Sequence, residues 1–509
     1  MLGLMVLTAL FRRELPTDGL FYDDAWQALG AVKGSLSQLA LTGQTQPAFT
    51  LELTAWSRLV GSGDTSLVVP TLIAGVLGPP LLYLVLRRVG AARSIAALLG
   101  TAMAVAPVHI IYSTRVKSYT TDVLIMLGLT LLVPLLARRP WRRSTALAWF
   151  VGAVAIASFS SFALLAAAAA GILLVLHPQP GDRRLRIVTV AAQMVAHLAF
   201  LVAVSRQYNA DLVTRFFEGK DGFIDRTFNP ITLTQDVVTH LLRVVFVYPA
   251  VDGPTWWLSA VLVAAVAGLA AMAWRGPHRV AARFLGLSAL IAMAGSFAGM
   301  SPFGPRSDPP ISGGGRVTLW LIPALAVGLA ATLTWARRAS GDRVGLRRAF
   351  DGVALGLAVL LVVGAVGEGR PYPLAGARDG TRHVMERLED DDVVLITRPT
   401  SFSFALYADT PVDLAATPKR AIGFLPDFED PRFTVLPDFN VDVPALQATV
   451  ADADRVWVVH ADVDPRAPAY AEQRLTIAIV LDASGFTNDE SVRLGQTVVD
   501  LWRSGGPEG

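Results

Sequence analysis

The 509-residue chain is 53% hydrophobic and 17% charged, well below the roughly 25% charge usual in soluble domains. It has no cysteine, which excludes disulfides, zinc–thiolate sites and a thiol nucleophile and leaves oxygen and nitrogen chemistry. Its 44 basic residues are 40 Arg plus Lys33, Lys117, Lys220 and Lys419, and they concentrate in short loops between apolar runs, so the net charge of +3 carries no nucleic-acid signal.

The first eleven residues, MLGLMVLTALF, are apolar but too short to cross a bilayer. They predict a partial span, or the end of a helix that starts upstream. No basic segment and no small-residue cleavage site marks them as a signal peptide. GLFYDDAW follows at 19–26, placing Asp23 and Asp24 among aromatics at the start of an amphipathic helix.

Ten runs with membrane-helix length and composition come next: 66–86, 94–112, 121–137, 144–158, 161–177, 187–205, 255–274, 284–300, 317–336 and 349–367. The loops 87–93, 138–143, 178–186, 275–283 and 337–348 together hold 18 Arg against two Asp and alternate with the remaining loops. The positive-inside rule makes them cytoplasmic. The loops 12–65, 113–120, 205–254 and 301–316 then face outward, with the tail from 368. Counting residues 1–11, the expectation is an α-helical polytopic plasma-membrane protein of about eleven spans. Arg12 and Arg13 lie on the side that the rule disfavours.

The tail, 368–509, carries 24 acidic against 13 basic residues and alternates strand-like runs, such as DVVLIT and DRVWVVHA, with helical ones. That pattern predicts a C-terminal extracytoplasmic α/β domain, 368–509, beside a membrane domain, 1–367. No glycine-rich phosphate fingerprint follows either strand, which argues against a nucleotide site.

Ionisable groups are scarce at the span centres, where the candidates are Asp122, His109, His197 and Asp351. Pumps and proton-coupled transporters need such groups along a pathway. The charge gathers instead at the outer rim. Asp23 and Asp24 suit proton transfer from a hydroxyl. YSTRVKSYTTD places Arg115 and Lys117 between Tyr112 and Tyr119, a combination suited to a lipid phosphate. SPFGPRSDPPISGGGR ends at Arg316, where three glycines open the way to an anion at a helix start. The segments LVTRFFEGKDGFI and TQDVVTHLLRVVF are amphipathic enough to lie along the interface.

Four ordered stretches resemble the GT-C glycosyltransferases, in the protein O-mannosyltransferase and aminoarabinose transferase branch. They are LFYDDAWQAL, the stretch 42–90, SIAALLGTAMAVAPVHIIYSTRVKSYTTDVLIMLGL, and GGGRVTLWLIPALAVGLA. The departures are Gln46 for a histidine, Ala48 for a proline, Asp24 for a glutamate, and Arg115 where relatives carry an acid. The resemblance implies a polyprenyl-phosphate sugar donor and inverting transfer to a glycan, lipid or protein acceptor outside the cell. It implies Asp23 as general base, Asp24 as its partner, Arg115, Lys117 and Arg316 as phosphate contacts, and Tyr112 and Tyr119 as substrate contacts. A divalent metal, magnesium or manganese, is the one cofactor it leaves open, with Asp24 as candidate ligand. The alternatives are an oligosaccharide ligase or polymerase of the same architecture, and a transporter or flippase of lipid-linked glycans.

Overall fold

The computed structural model describes residues 1–13, 15, 18–20, 22–44, 46–177, 182–207, 222–245, 256–300, 302–303, 317–339, 341, 343–367, 376–416, 423–437, 440–462 and 468–505. Arg316, most of the 301–316 loop, and most of the segment 212–224 lie outside these residues. Every apolar run becomes a helix, but the lengths differ. Among the described residues, six helices are long and apolar enough to cross a membrane: Asp64–Arg88, Tyr119–Arg138, Arg183–Val204, Arg279–Phe297, Leu319–Ala339 and Val344–Val366. The bent pair Arg93–Val105 and Pro107–Ser113 would make a seventh. Arg143–Ala157 and Ser161–Leu176 are shorter apolar helices. Trp256–Arg275 packs beside Ile322–Ala339, and TQDVVTHLLRVV, 234–245, falls in the helix Pro230–Val245, with Phe246 outside the described residues. Of the about eleven expected spans, counting the short segment 1–11, six or seven meet the length and apolarity of a crossing helix among the described residues, and shorter helices join them. Large apolar side chains such as Leu147, Val195, Leu198, Leu360 and Val363 point outward from the bundle, as lipid-facing surfaces do.

The break at Ala106–Pro107 bends its helix pair by 58°. Proline lacks an amide hydrogen and pushes its predecessor into extended geometry, and Ala106 accordingly sits at φ −63°, ψ 119°. The break frees carbonyls, and Arg12 takes one of them. Its Nη1 donates to Thr8 O and Ala104 O, both at 2.9 Å, and Nη2 approaches His109 Nδ1 at 2.6 Å. A guanidinium only donates, so His109 Nδ1 accepts. Arg12 is 1% exposed and His109 is fully buried, which makes this arginine a clamp between the nine-residue helix Leu2–Leu10 and the broken pair. A buried clamp reports nothing about topology, and this removes the conflict that Arg12 posed for the positive-inside rule.

The arginine-rich turns converge on one end of the bundle. Arg186 donates to Arg139 O at 2.6 Å, Arg283 approaches His177 at 3.3 Å, and Arg337 pairs with Asp351 at 2.9 Å. Asp351 also accepts from Ser94.

The tail forms a five-stranded sheet in the order β4-β1-β5-β7-β6, from β1 (Val393–Thr397), β4 (Phe433–Leu436), β5 (Arg455–Ala461), β6 (Phe486–Leu494) and β7 (Thr497–Ser504). Strand β1 runs parallel to β4 and β5, while β7 is antiparallel to β5 and β6. Strands β2 (Val412–Ala416) and β3 (Phe424–Phe428) pair separately. Alternate side chains go to opposite faces. Leu395, Val456 and Val458 pack under Leu446, Val450, Ile477 and Leu481 of the helices Val443–Val450 and Pro468–Ala483. Val394, Ile396, Trp457, Val459 and Leu501 face the other way, into a core shared with Leu20, Ala25, Leu29, Phe49, Leu53 and Val116. The helix that carries Asp23 and Asp24 therefore rests on the tail through Phe402, Phe404 and Phe424.

The docking also needs a glycine. Gly19 has φ +109°, and a Cβ there would come within 2.6 Å of Arg378 N, a backbone atom of the tail. Gly19→Ala is expected to cost about 1–3 kcal/mol, the usual range for a forced backbone conformation. The check is a lower melting temperature with a fragment of the tail released earlier in limited proteolysis.

Candidate active site

The helix Tyr22–Val32 opens with both acids in its first turn, where the partial positive charge of the helix start favours carboxylates. Tyr22 itself has φ +29°, a strained value for a side-chain-bearing residue. Its ring is held 5.9 Å from that of Phe402, so the tail fixes the turn that aims Asp23 and Asp24.

The cations come from the turn between Pro107–Ser113 and Tyr119–Arg138. Thr71 Oγ1 donates to Arg115 O at 2.8 Å, and Thr120 Oγ1 donates to Thr71 O at 3.2 Å. These bonds pin the turn to the helix Asp64–Arg88. Close packing beneath is possible because Gly75 and Gly78 face Ser113 and His109 without side chains.

The two acids have different surroundings. The Asp24 side chain is 0% exposed, and its Oδ2 accepts from Arg115 Nε at 2.8 Å. Arg115 lies 5.6 Å over the Tyr112 ring. The Asp23 side chain is 31% exposed and stands 4.0 Å from Lys117 Nζ. Lys117 in turn lies 5.2 Å over the Trp26 ring. Tyr112 is buried and meets half-buried Tyr119 edge to face, with centroids 5.1 Å apart. Of the predicted residues, Asp23, Asp24, Tyr112, Arg115, Lys117 and Tyr119 thus come together, while Arg316 lies outside the described residues. Asp23 is the reachable acid; Asp24 is locked.

That geometry bears on the metal that the resemblance leaves open. Asp24 holds a guanidinium, and among the described residues no three His, Asp or Glu side chains form a group that could hold an ion.

Two features escaped the sequence reading. Ser118 Oγ donates to Gln46 Oε1 at 2.9 Å, Gln46 Nε2 to Gln27 Oε1 at 2.8 Å, and Gln27 Nε2 to Thr50 Oγ1 at 3.1 Å. This polar chain ties the acid helix to the basic turn. Gln46, the departure at the family's histidine position, is its middle link. The second feature is a clamp around Asp64, 3% exposed. Tyr407 Oη donates to Asp64 Oδ1 at 2.7 Å, Arg378 Nη2 pairs with Oδ2 at 2.7 Å, and the Leu20 amide donates to Tyr407 Oη. Burial and the neighbouring Asp64 charge push the Tyr407 hydroxyl above its ordinary pKa, so it stays a donor. A buried Asp at the head of an apolar helix was the available signal; its partners, more than 300 residues away, were not visible.

Comparison with models of known families and with curated proteins finds no match. Solved structures do match. The chain is similar to ArnT from Cupriavidus metallidurans in the apo state, with TM-score 0.54, 16% identity, and 98% of this chain and 97% of that chain covered. The same protein bound to undecaprenyl phosphate gives TM-score 0.53 at 15% identity over the same shares. An Archaeoglobus fulgidus oligosaccharyltransferase in complex with Zn and sulfate gives TM-score 0.50 at 10% identity, over 98% of this chain and 72% of that one. Nearly full-length correspondence at identities this low is a statement about architecture. The chain has the GT-C fold of the membrane glycosyltransferases.

Proposed function

We propose that the protein is an integral membrane glycosyltransferase that moves a sugar from a polyprenyl-phosphate donor to a hydroxyl of an envelope glycan, lipid or protein. The observation that carries this reading is the pairing of a reachable carboxylate, Asp23, with the ammonium of Lys117 on a rim built by the GT-C fold. The undecaprenyl phosphate bound to ArnT in its complex supports a polyprenyl-phosphate donor.

The reaction follows from the charges. Asp23 takes the acceptor hydroxyl proton as that oxygen attacks the anomeric carbon. The bond from this carbon to the phosphate oxygen breaks, and its electron pair leaves with the phosphate. Lys117 stabilises that developing charge. Attack opposite the leaving group inverts the anomeric centre. Asp24 neutralises Arg115 and holds the basic turn against the acid helix, so Arg115 acts as a positioning residue in addition to any phosphate contact. The tail and the acid helix face outward, and the arginine turns face the cytoplasm, where positive loops are retained. Residues 1–367 form the membrane domain and 368–509 the outer one, which covers the site.

The test is transfer of label. Purified protein in a bilayer would be given radiolabelled polyprenyl-phosphate pentoses and hexoses together with envelope glycan and lipid acceptors. Label on an acceptor is expected with one sugar class. Movement of labelled lipid across the bilayer with no transfer would sink the enzyme reading and favour a flippase.

A further inference from the structure

Helix Asp64–Arg88 runs from the Asp64 clamp to the arginine end, about 37 Å for 25 residues. At that far end lies a cleft of about 470 Å³ between the helices Trp256–Arg275 and Ile322–Ala339 and the turn 89–91. The two helices touch backbone to backbone at Gly268 and Gly328, where neither position has space for a Cβ. The cleft lies on the C-terminal side of that contact. Its walls are small and apolar, including Ala271, Met272 and Ala331. Its rim differs: Arg338, His278 and Trp335 line it, and Trp335 is 72% exposed. Thr334 also lines the cleft, and its buried hydroxyl has no hydrogen-bond partner among the described residues. Burial, then the charges of Arg138 and Arg88, hold His278 below its ordinary pKa. That places two further cations within electrostatic reach of the rim.

An apolar slot with a donor inside, an exposed tryptophan and several cations at its mouth matches one molecule in a bilayer. A phosphodiester would sit on Arg338 and His278, an ester oxygen near Thr334, and an acyl chain along Ala271, Met272 and Ala331. Tryptophan is at home at this headgroup level, and each cation there adds attraction for an anionic lipid. A sugar donor reacting at Asp23 cannot be the occupant, because the headgroup would be at the wrong end of the helix. We infer that this cleft is a binding site for an anionic glycerophospholipid of the leaflet opposite the candidate active site. The inference does not depend on the enzymatic reading.

Native mass spectrometry of the purified full-length protein, given equal phosphatidylglycerol and phosphatidylcholine, tests it. One phosphatidylglycerol is expected to remain bound preferentially. Arg338→Gln with His278→Gln is expected to lower that retention at least about fivefold, the ratio for roughly one lost cation contact. Ala331→Leu, which fills the slot without touching a charge, is expected to lower it as well, and Lys117→Met is expected to leave it unchanged. Melting temperatures in phosphatidylcholine establish that each variant is folded. Equal retention of both lipids, or undiminished phosphatidylglycerol binding in folded cleft variants, would overturn the site.

Discussion

Asp23→Asn is expected to cut sugar transfer by about 10²- to 10⁴-fold, the range associated with loss of a positioned general base, while leaving the protein folded. The side chain is 31% exposed and lies 4.0 Å from Lys117, so the amide fills the same space without burying a charge. Loss should appear in the turnover rate, because an asparagine at this position still fits beside substrate but cannot take the hydroxyl proton. Asp23→Glu should recover part of the activity, since it retains the carboxylate with one more methylene. Transfer by Asp23→Asn within a few fold of the unmodified protein would remove Asp23 from the base role.

Arg115→Ala should act on stability. It leaves the fully buried carboxylate of Asp24 without its 2.8 Å partner, and breaking a buried pair from one side costs about 3–5 kcal/mol. Replacing both partners, Asp24→Asn with Arg115→Gln, should recover most of that loss, because the stranded charge is gone. The coupling between the two changes measures the interaction itself. Denaturant or thermal unfolding of the single and double variants is the check. If Arg115→Ala unfolds with the unmodified protein, the pair is not the tie between acid helix and basic turn.

The contrast between these variants marks how far the sequence could be read. Apolar runs were legible because hydropathy is local, and so were the strands β1 and β5, which are apolar on both faces. Averaging over a window hid the break before Pro107, although the proline itself was the signal. Asp23 and Asp24 look alike in sequence; only a contact 91 residues away, Asp24 with Arg115, separates the reachable acid from the locked one. Gln46 read as a missing histidine until its two amide bonds were placed. Arg12 read as a misplaced topology signal because nothing local announces a carbonyl freed near residue 104. Composition and periodicity report what a residue's neighbours in sequence are, and the site is made of partners that meet only after the bundle closes.

The core shared by the acid helix and the tail sheet also orders events during synthesis. Leu20, Ala25 and Leu29 share their core with Phe49 and Leu53, which follow soon after, and with Phe402, Phe404 and Phe424, which leave the ribosome more than 350 residues later. At about 5–20 residues per second, that interval is tens of seconds. Through it the part of the acid helix that meets the tail stays uncovered. The turn that carries the two carboxylates gains its Phe402 contact only when nearly the whole polypeptide has been made, so a chain cut short before the tail would leave that apolar surface exposed.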